Sequence, residues 1–216
     1  LRALSVTDAL TGIHNRRYFQ ERLKVELDRA QRDGLALAVI MLDIDHFKRI
    51  NDQFGHAVGD LVLRSLCQRI GHRLRRTDVF CRLGGEEFMV LCPDTDGQQA
   101  FSLAQELWQG LRSTPVDGVG RVTASFGVAG WRPGEGADAL LLRADSGVYA
   151  AKQAGRASPE GEGNWAKSSF EDLVQYNDGF KTNLIGTPLQ IAERIVALKA
   201  VGVDLVLAGF LHFQEE

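Results

Sequence analysis

The fold of this chain is decided by the stretch Arg82-Leu83-Gly84-Gly85-Glu86-Glu87-Phe88. Two adjacent glycines suit a two-residue hairpin turn, because both central residues of such a turn favour positive φ. We therefore predict a β-hairpin with Gly84 and Gly85 at its tip. The carboxylates of Glu86 and Glu87 are then expected to sit at the tip of the hairpin.

A second stretch, Asp43-Ile44-Asp45, ends an almost uninterrupted apolar run from Leu35 to Leu42. Such a run predicts a buried central strand. If its end lies beside the hairpin tip, Asp43, Glu86 and Glu87 come together, and each like-charged pair at roughly 4 Å costs about 4 kcal/mol at an effective dielectric of 20. This repulsion calls for a cation, and Mg²⁺ typically binds one or two carboxylates plus substrate phosphates. For the hairpin taken alone, a solvated acidic tip is the alternative.

Composition places the 216-residue chain among soluble globular proteins, with room for one domain and a remnant. The net charge of −3 argues against a nucleic-acid partner bound by bulk electrostatics. Three cysteines without disulfide or zinc spacing suggest a reducing cytoplasm, and no apolar run reaches the roughly 20 residues of a membrane span. Because the chain starts at Leu1 without Met, we expect that an upstream sensor domain is missing.

The periodicity of apolar residues predicts the remaining elements. Helices are expected at Tyr18 to Arg32, Val58 to Arg76, Gly97 to Leu111 and Ala137 to Ala154, and a strand at Arg121 to Trp131. In the second helix, Leu61, Leu66 and Ile70 are expected to face inward. The order helix, strand, helix, hairpin, helix, strand, helix indicates a mixed sheet with helices packed on it.

The sequence alone allows two roles for each of two acidic residues, Asp45 and Asp60. Asp45 is placed to cap a short helix that starts near Phe47, where backbone N–H groups bind phosphate readily, and a metal ligand is the alternative. Asp60 either complements the dipole of its helix or accepts hydrogen bonds from a guanine, with Asn51 donating to the acceptor edge of the purine.

Two basic residues, Lys152 and Arg156, close the last predicted helix. On spacing alone, their favoured role is to complement the C-terminus of that helix.

Five motifs follow one another along the chain. They are D-A-L-T-G-I-H-N-R-R at 8 to 17, D-I-D-H-F-K-R-I-N-D-Q-F-G-H-A-V-G-D at 43 to 60, R-L-G-G-E-E-F at 82 to 88, S-F-G-V-A at 125 to 129 and A-D-S-G-V-Y-A-A-K-Q-A-G-R at 144 to 156. Together they closely resemble the GGDEF family of diguanylate cyclases, in its GGEEF variant. The resemblance implies an α/β (α+β) domain over residues 1–156, similar to nucleotide cyclases and polymerase palms, with a mixed, mainly antiparallel central sheet flanked by helices.

What the resemblance implies about activity is the condensation of two GTP molecules into cyclic di-GMP with release of two pyrophosphates. Each domain would present one GTP, so two domains must meet face to face in a homodimer. The implied cofactor is Mg²⁺, with Mn²⁺ possible as a substitute.

The resemblance also implies a role for individual residues by their place in the motifs. Asp43, the Ile44 carbonyl and Glu86 would hold Mg²⁺, with Glu87 as a further ligand. Glu86 would in addition assist deprotonation of the 3′-hydroxyl.

The same carry-over assigns substrate-binding groups. Asn51 and Asp60 would read guanine. The groups that would neutralise or bind the triphosphate are Lys48, Lys152, Arg156 and the backbone N–H groups around His46 and Phe47.

A further motif, Arg75-Arg76-Thr77-Asp78, stands shortly before the glycine pair and fits the RxxD inhibitory site of the family. Arg75 and Asp78 would bind cyclic di-GMP as product and inhibitor, since arginine grips phosphate and stacks on guanine. The alternative function is a receptor that binds cyclic di-GMP at this RxxD site and turns over little GTP.

Beyond Arg156 the resemblance stops. Residues 157–169 have the composition of a linker, and residues 170–216 predict an αβ appendage. This tail looks like the C-terminal end of luciferase-like flavin-dependent monooxygenases. We expect no flavin cofactor, because the rest of such a barrel is absent. A monooxygenase fragment with a cyclase-like partner is the third hypothesis, and flavin binding would be its mark.

Overall fold

The computed structural model describes residues 6–156, and the side chains of residues 6–153. In chain order the elements are β1 (His14–Asn15), α1 (Arg16–Asp33), β2 (Leu37–Ile44), α2 (Phe47–Phe54), α3 (His56–Gly71), β3 (Val79–Gly84), β4 (Glu87–Pro93), α4 (Gly97–Ser113), β5 (Ala124–Gly130) and α5 (Ala137–Arg156). The predicted linker and tail lie outside the described residues. None of the helices described here has the length and apolar character needed to cross a membrane.

The five strands form one sheet in the order β1-β3-β4-β2-β5. Only the short β1 runs parallel to its neighbour, and the other three pairings are antiparallel. All eight residues of β2 are buried, as the apolar run predicted. The prediction of a mixed, mainly antiparallel sheet with flanking helices is therefore confirmed.

Helices cover both faces of this sheet. One core contains α2, α3 and α4 together with the even-numbered residues of β2 from Ala38 to Ile44. The other core contains α1 and α5 together with Leu37, Val39 and Met41. Because side chains alternate along a strand, the next odd-numbered residue after Met41, which is Asp43, shares the face of α5.

Helix α3, which was predicted as Val58 to Arg76, differs from the prediction at both ends and in the orientation of Leu61. Gly55, with φ of 85°, separates α2 from α3, and α3 ends at Gly71 rather than at Arg76. Beyond Gly71 the chain forms a turn in which the Asp78 carboxylate accepts the Arg75 N–H, which replaces helical pairing. Leu61 is 54% exposed, so its predicted inward orientation was wrong, because neighbouring apolar residues fill the inner face.

The hairpin tip also differs from the prediction. Gly84 pairs with Glu87 at the end of the ladder, so the two loop residues are Gly85 and Glu86. A register shift between Arg82 and Gly84 draws the first glycine into the strand. Both glycines still use positive φ, 151° at Gly84 and 52° at Gly85. The consequence is that Glu86 belongs to the turn itself.

The backbones of β5 and α5 approach each other closely at Gly127. A Cβ placed on Gly127 would overlap the carbonyl oxygen of Ala144 and would lie 2.5 Å from the Val148 nitrogen. Glycine at this position therefore sets the distance between the sheet and the helix that contains Lys152.

We expect Gly127→Ala to lower the free energy of unfolding by about 1–3 kcal/mol, because α5 must move away from the sheet. Urea denaturation of the full chain measures this change. Gly110→Ala is the matched control, since Gly110 lies within α4 with no atom near the added methyl, and alanine favours a helix interior by about 0.5–1 kcal/mol. Equal stability of the two variants would contradict the prediction.

Candidate functional site

Asp43 lies at the end of β2, between the two strands that flank it. Its register partners are Glu87 on β4 and Ser125 on β5. Directly opposed residues of an antiparallel pair have Cβ atoms about 4.5–5.5 Å apart and share one face of the sheet. The Asp43 carboxylate forms a 2.8 Å ion pair with Nζ of Lys152 from α5. The structure therefore brings together Asp43, Glu87 and Lys152, which the sequence placed in separate motifs.

Glu86 reaches the same place through the hairpin turn. The Ile44 N–H donates a 3.2 Å hydrogen bond to the Glu86 carbonyl, which ties the turn to the end of β2. Burial raises the pKa of the half-buried Glu86 carboxyl, and the negative charges of Asp43 and Glu87 raise it further, while Lys152 lowers it. The Glu86 carboxyl therefore lies close enough to Asp43, Glu87 and Lys152 for their charges to affect its pKa.

The Asp43 carboxylate has the donor character that a hard cation requires. It is 6% exposed, and its Oδ1 has no hydrogen-bond partner among the described residues. Within the described part of the chain no three His, Cys, Asp or Glu side chains are arranged to hold a metal ion. Mg²⁺ is usually bound through one or two carboxylates plus substrate phosphates rather than by a cage made of protein alone. A carboxylate oxygen with a free lone pair beside Glu86 fits that mode.

Asp45 does not cap α2, so that prediction was wrong. Its two carboxylate oxygens accept hydrogen bonds of 2.7 Å from the hydroxyl groups of Thr123 and Ser125. The pairing of β2 with β5 brings these hydroxyls closer than the helix N–H groups, which explains the difference. Asp45 thus fastens the end of β2 to β5.

The N-terminus of α2 is shaped by His46, which is the N-cap residue and has a left-handed backbone with φ of 57°. A non-glycine residue in this region costs of the order of 1–3 kcal/mol and occurs most often at functional sites. The first N–H groups of any helix have no partner within that helix. Phe47 is buried and anchors this end, whereas Lys48 is exposed and free to reach an anion.

Asn51 lies in α2 and Asp60 in α3, on either side of the junction at Gly55. A Cβ on Gly59 would overlap Oδ1 of Asn51, so the Asn51 side chain lies over Gly59, next to Asp60 in the chain. Asp60 is the fifth residue of α3, and helix-dipole effects are confined to the first turn. The guanine-reading role of Asp60 stays a prediction.

The two basic residues of α5 have different outcomes. Lys152 pairs with Asp43 instead of complementing the end of α5, which runs on to Arg156. The side chain of Arg156 lies outside the described part of the structure, and its role remains a prediction.

The RxxD segment lies in the turn between α3 and β3. Besides the 2.8 Å bond from the Arg75 N–H to the Asp78 carboxylate, the Asp78 N–H donates to the Arg75 carbonyl at 3.1 Å. A cavity of about 390 Å³ opens beside this turn, and residues 12–14 of the first motif form its other wall. Burial raises the pKa of Asp78, and the hydrogen bond from the Arg75 N–H and then the charge of Arg75 partly offset that increase.

With this geometry established, comparison with known proteins identifies the family. The family model described as "Diguanylate cyclase, GGDEF domain" matches residues 5–158. The chain belongs to the GGDEF diguanylate cyclase family.

Relatives agree with this assignment in sequence and in structure. The response regulator PleD of Caulobacter vibrioides (strain NA1000 / CB15N) is 44% identical over 166 residues, which cover 74% of this chain and 36% of PleD. The crystal structure of the GGDEF domain of DgcB from Caulobacter crescentus, in complex with c-di-GMP, matches with a TM-score of 0.68 and 32% identity. That match covers 72% of this chain and 92% of the DgcB chain.

The resemblance to flavin monooxygenases is also found. A segment of 67 residues is 97% identical to the FMNH(2)-dependent dimethylsulfone monooxygenase of Pseudomonas fluorescens (strain Pf0-1). It covers 31% of this chain and 18% of that protein. This chain thus spans only a minor part of either curated relative, and we assign no monooxygenase chemistry to it.

Sequence reasoning missed several residues that shape the GGDEF site. Thr123 and Ser125 hold Asp45, and Arg82 contacts the hairpin turn. Hydroxyl residues two positions apart at the start of the predicted strand were the available signal, because such residues share one face. Their partner could not be predicted without the register of β2 against β5.

Burial is the largest cause of the raised pKa of Asp43, Lys152 partly offsets it, and Asp45 and Asp145 add to it. A carboxyl with a raised folded-state pKa contributes stability below its ordinary value of about 3.9, and this contribution is lost as the pH rises through the folded-state pKa. Relative to wild type, Asp43→Asn is therefore expected to gain in free energy of unfolding as the pH rises from about 3.9 through the folded-state pKa of Asp43.

Urea denaturation in EDTA across this pH range measures the difference. Asp33→Asn is the control, because the neighbouring Arg32 lowers the pKa of Asp33. The free energy of unfolding of this variant relative to wild type is therefore expected to change with pH in the opposite direction. A difference between Asp43→Asn and wild type that shrinks toward neutral pH would contradict the expectation.

Proposed function

We propose that this chain is a diguanylate cyclase that condenses two GTP molecules into cyclic di-GMP and releases two pyrophosphates. The observation that supports it most is the meeting of Asp43, Glu86, Glu87 and Lys152 at the end of β2. Membership of the GGDEF family and the likeness to DgcB, whose GGDEF domain is in complex with c-di-GMP, point to the same reaction.

In this proposal Asp43, the Ile44 carbonyl and Glu86 hold Mg²⁺, with Glu87 beside them. When bound, the metal supplies charge stabilisation at the α-phosphate and favours ionisation of the 3′-hydroxyl. The raised pKa of Glu86 makes its carboxylate a stronger base toward the proton of that hydroxyl. Mn²⁺ offers the same preference for oxygen ligands.

The remaining residues bind and orient GTP. Asn51 and Asp60 recognise guanine at the junction of α2 and α3. Phosphate oxygens are bound by the backbone N–H groups around His46 and Phe47. Positive charge comes from the side chains of Lys48, Lys152 and Arg156.

One site presents one GTP, whereas the product has two guanosine units joined symmetrically. Two domains must therefore face each other so that the 3′-hydroxyl of each GTP meets the α-phosphate of the other. We infer a homodimer as the active form, located in the cytoplasm as the output part of a larger sensor protein.

Formation of cyclic di-GMP from GTP and Mg²⁺, followed by chromatography over a range of protein concentrations, tests the proposed reaction. We expect the rate to rise faster than linearly with protein concentration, because dimerisation precedes catalysis. Glu86→Gln is expected to lower turnover by about 10²-fold or more, since it removes the proposed base for the 3′-hydroxyl and a charged ligand of the proposed metal site.

Glu21→Gln is the matched control, because Glu21 lies on the exposed face of α1 in an ion pair with Arg17. This variant is expected to keep wild-type turnover. No cyclic di-GMP from the wild-type protein at any concentration, or equal loss in the two variants, would refute the proposal.

The cavity beside the RxxD turn supports cyclic di-GMP binding at Arg75 and Asp78, as product inhibition or as the receptor function. Arg75→Ala is expected to weaken cyclic di-GMP binding about 10- to 100-fold, because a charged hydrogen bond contributes roughly 1.5–3 kcal/mol. Under the cyclase proposal, synthesis in this variant stays intact or rises.

Isothermal titration with cyclic di-GMP and the turnover assay measure both properties. Arg73→Ala is the control, because Arg73 is exposed nearby and does not line the cavity. Strong binding in wild type without turnover, lost in Arg75→Ala, would establish the receptor instead.

A further inference from the structure

The Arg82 side chain joins the Gly85–Glu86 turn to the N-terminal motif. Its guanidinium donates from Nε and Nη2 to the Gly85 carbonyl, at 3.1 and 2.7 Å. From Nη1 it donates to Oδ1 of Asp8 at 3.1 Å. Arg82 is 12% exposed and Asp8 24% exposed, so this pair is more shielded from water than most surface ion pairs.

These bonds fix the backbone on both sides of Glu86. The Gly85 carbonyl belongs to the peptide plane before the Glu86 Cα, and the Glu86 carbonyl belongs to the plane after it. Arg82 holds the first plane, and the Ile44 N–H holds the second. Because peptide units are planar, holding both planes restricts φ and ψ of Glu86 and so sets the direction of its Cα–Cβ bond.

Arg82 is itself held in place by a structured turn. Oδ1 of Asp8 also accepts hydrogen bonds from the N–H and the hydroxyl of Thr11, at 2.9 and 2.6 Å. Burial alone would raise the pKa of Asp8, but the hydrogen bonds from Thr11 and Arg82 together lower it. Asn15 of β1 pairs in register with Arg82 of β3, which anchors the same residue through the backbone.

We propose that Arg82 is a positioning residue for Glu86, acting through the Gly85 carbonyl and held by Asp8. This inference rests on the proposed function, because it assigns Glu86 to the metal and the 3′-hydroxyl. Arg82 itself touches neither substrate nor metal in this role. The N-terminal turn thereby sets the placement of a carboxylate that belongs to the reaction.

Metal binding provides the first test, with Mn²⁺ as the probe. Mn²⁺ affinity is measured by electron paramagnetic resonance in the presence of a GTP analogue that cannot react. We expect Arg82→Ala to weaken Mn²⁺ affinity about 10-fold or more, as the loss of groups that orient metal ligands usually does. In a Glu86→Gln background the same substitution is expected to have no further effect, because its influence passes through Glu86.

Turnover provides the second test. Arg82→Ala is expected to lower kcat about 10- to 100-fold with unchanged affinity for the GTP analogue. Arg82→Lys, which reaches only one of the two partners, is expected to fall between Arg82→Ala and wild type. Arg64→Ala is the matched control, since it removes a guanidinium bond to the Leu10 carbonyl of the same N-terminal turn without contacting Gly85.

The proposal is overturned if Arg82→Ala keeps wild-type Mn²⁺ affinity, or if its loss is equally large in the Glu86→Gln background. Asp8→Asn is the second variant, because its side chain still offers an oxygen to Thr11 and so keeps the turn folded. It must lower Mn²⁺ affinity and kcat by less than Arg82→Ala does. A wild-type protein that forms no cyclic di-GMP would refute the proposed function, whereas an active wild type with an unaffected Arg82→Ala would refute this inference alone.

Discussion

The antiparallel register between β2 and β4 is the constraint on which the rest of this structure depends. It places Asp43 opposite Glu87 and brings the Glu86 turn to the end of a strand that is buried on both faces. A slip of one residue would turn Asp43 toward the opposite core, away from Lys152. The apolar residues of β2 resist this slip, because it would exchange the side chains that fill the two cores.

The sheet and its central strand could be predicted because their signals are local. The apolar run before Asp43 and the paired glycines each specify an element without reference to distant residues. The grouping of Asp43, Glu86 and Glu87 followed from two strand ends that meet at one edge of the sheet. Assigning functions to these residues required the order of five motifs, since each motif has an ordinary structural explanation when taken alone.

The parts that could not be predicted depend on pairing between distant segments. Asp45 resembles a helix cap in the sequence, and only the neighbouring β5 shows that hydroxyl groups compete for its oxygens. In the sequence Arg82 resembles any polar residue near a turn. Only the structure shows that its guanidinium contacts Asp8, which lies 74 positions earlier in the chain. Three unfavourable features lie at this same edge: opposed carboxylates, a buried Asp43 oxygen that has no hydrogen-bond partner in the described part of the chain, and the left-handed backbone of His46. Local rules fail most often where a protein binds or reacts, which agrees with the site proposed here.

The ion pair between Lys152 and Asp43 has a consequence for how the domain is made. Its partners are separated by about 110 residues, and the β2–β5 pairing is also long-range. Contacts of this kind form late, because the chain must close a long loop before they contribute. At about 5–20 residues per second, a ribosome needs roughly 5–20 seconds to proceed from Asp43 to Lys152. During that interval Asp43 at the end of β2 lacks its ion-pair partner Lys152, so the site proposed here is complete only after synthesis of α5.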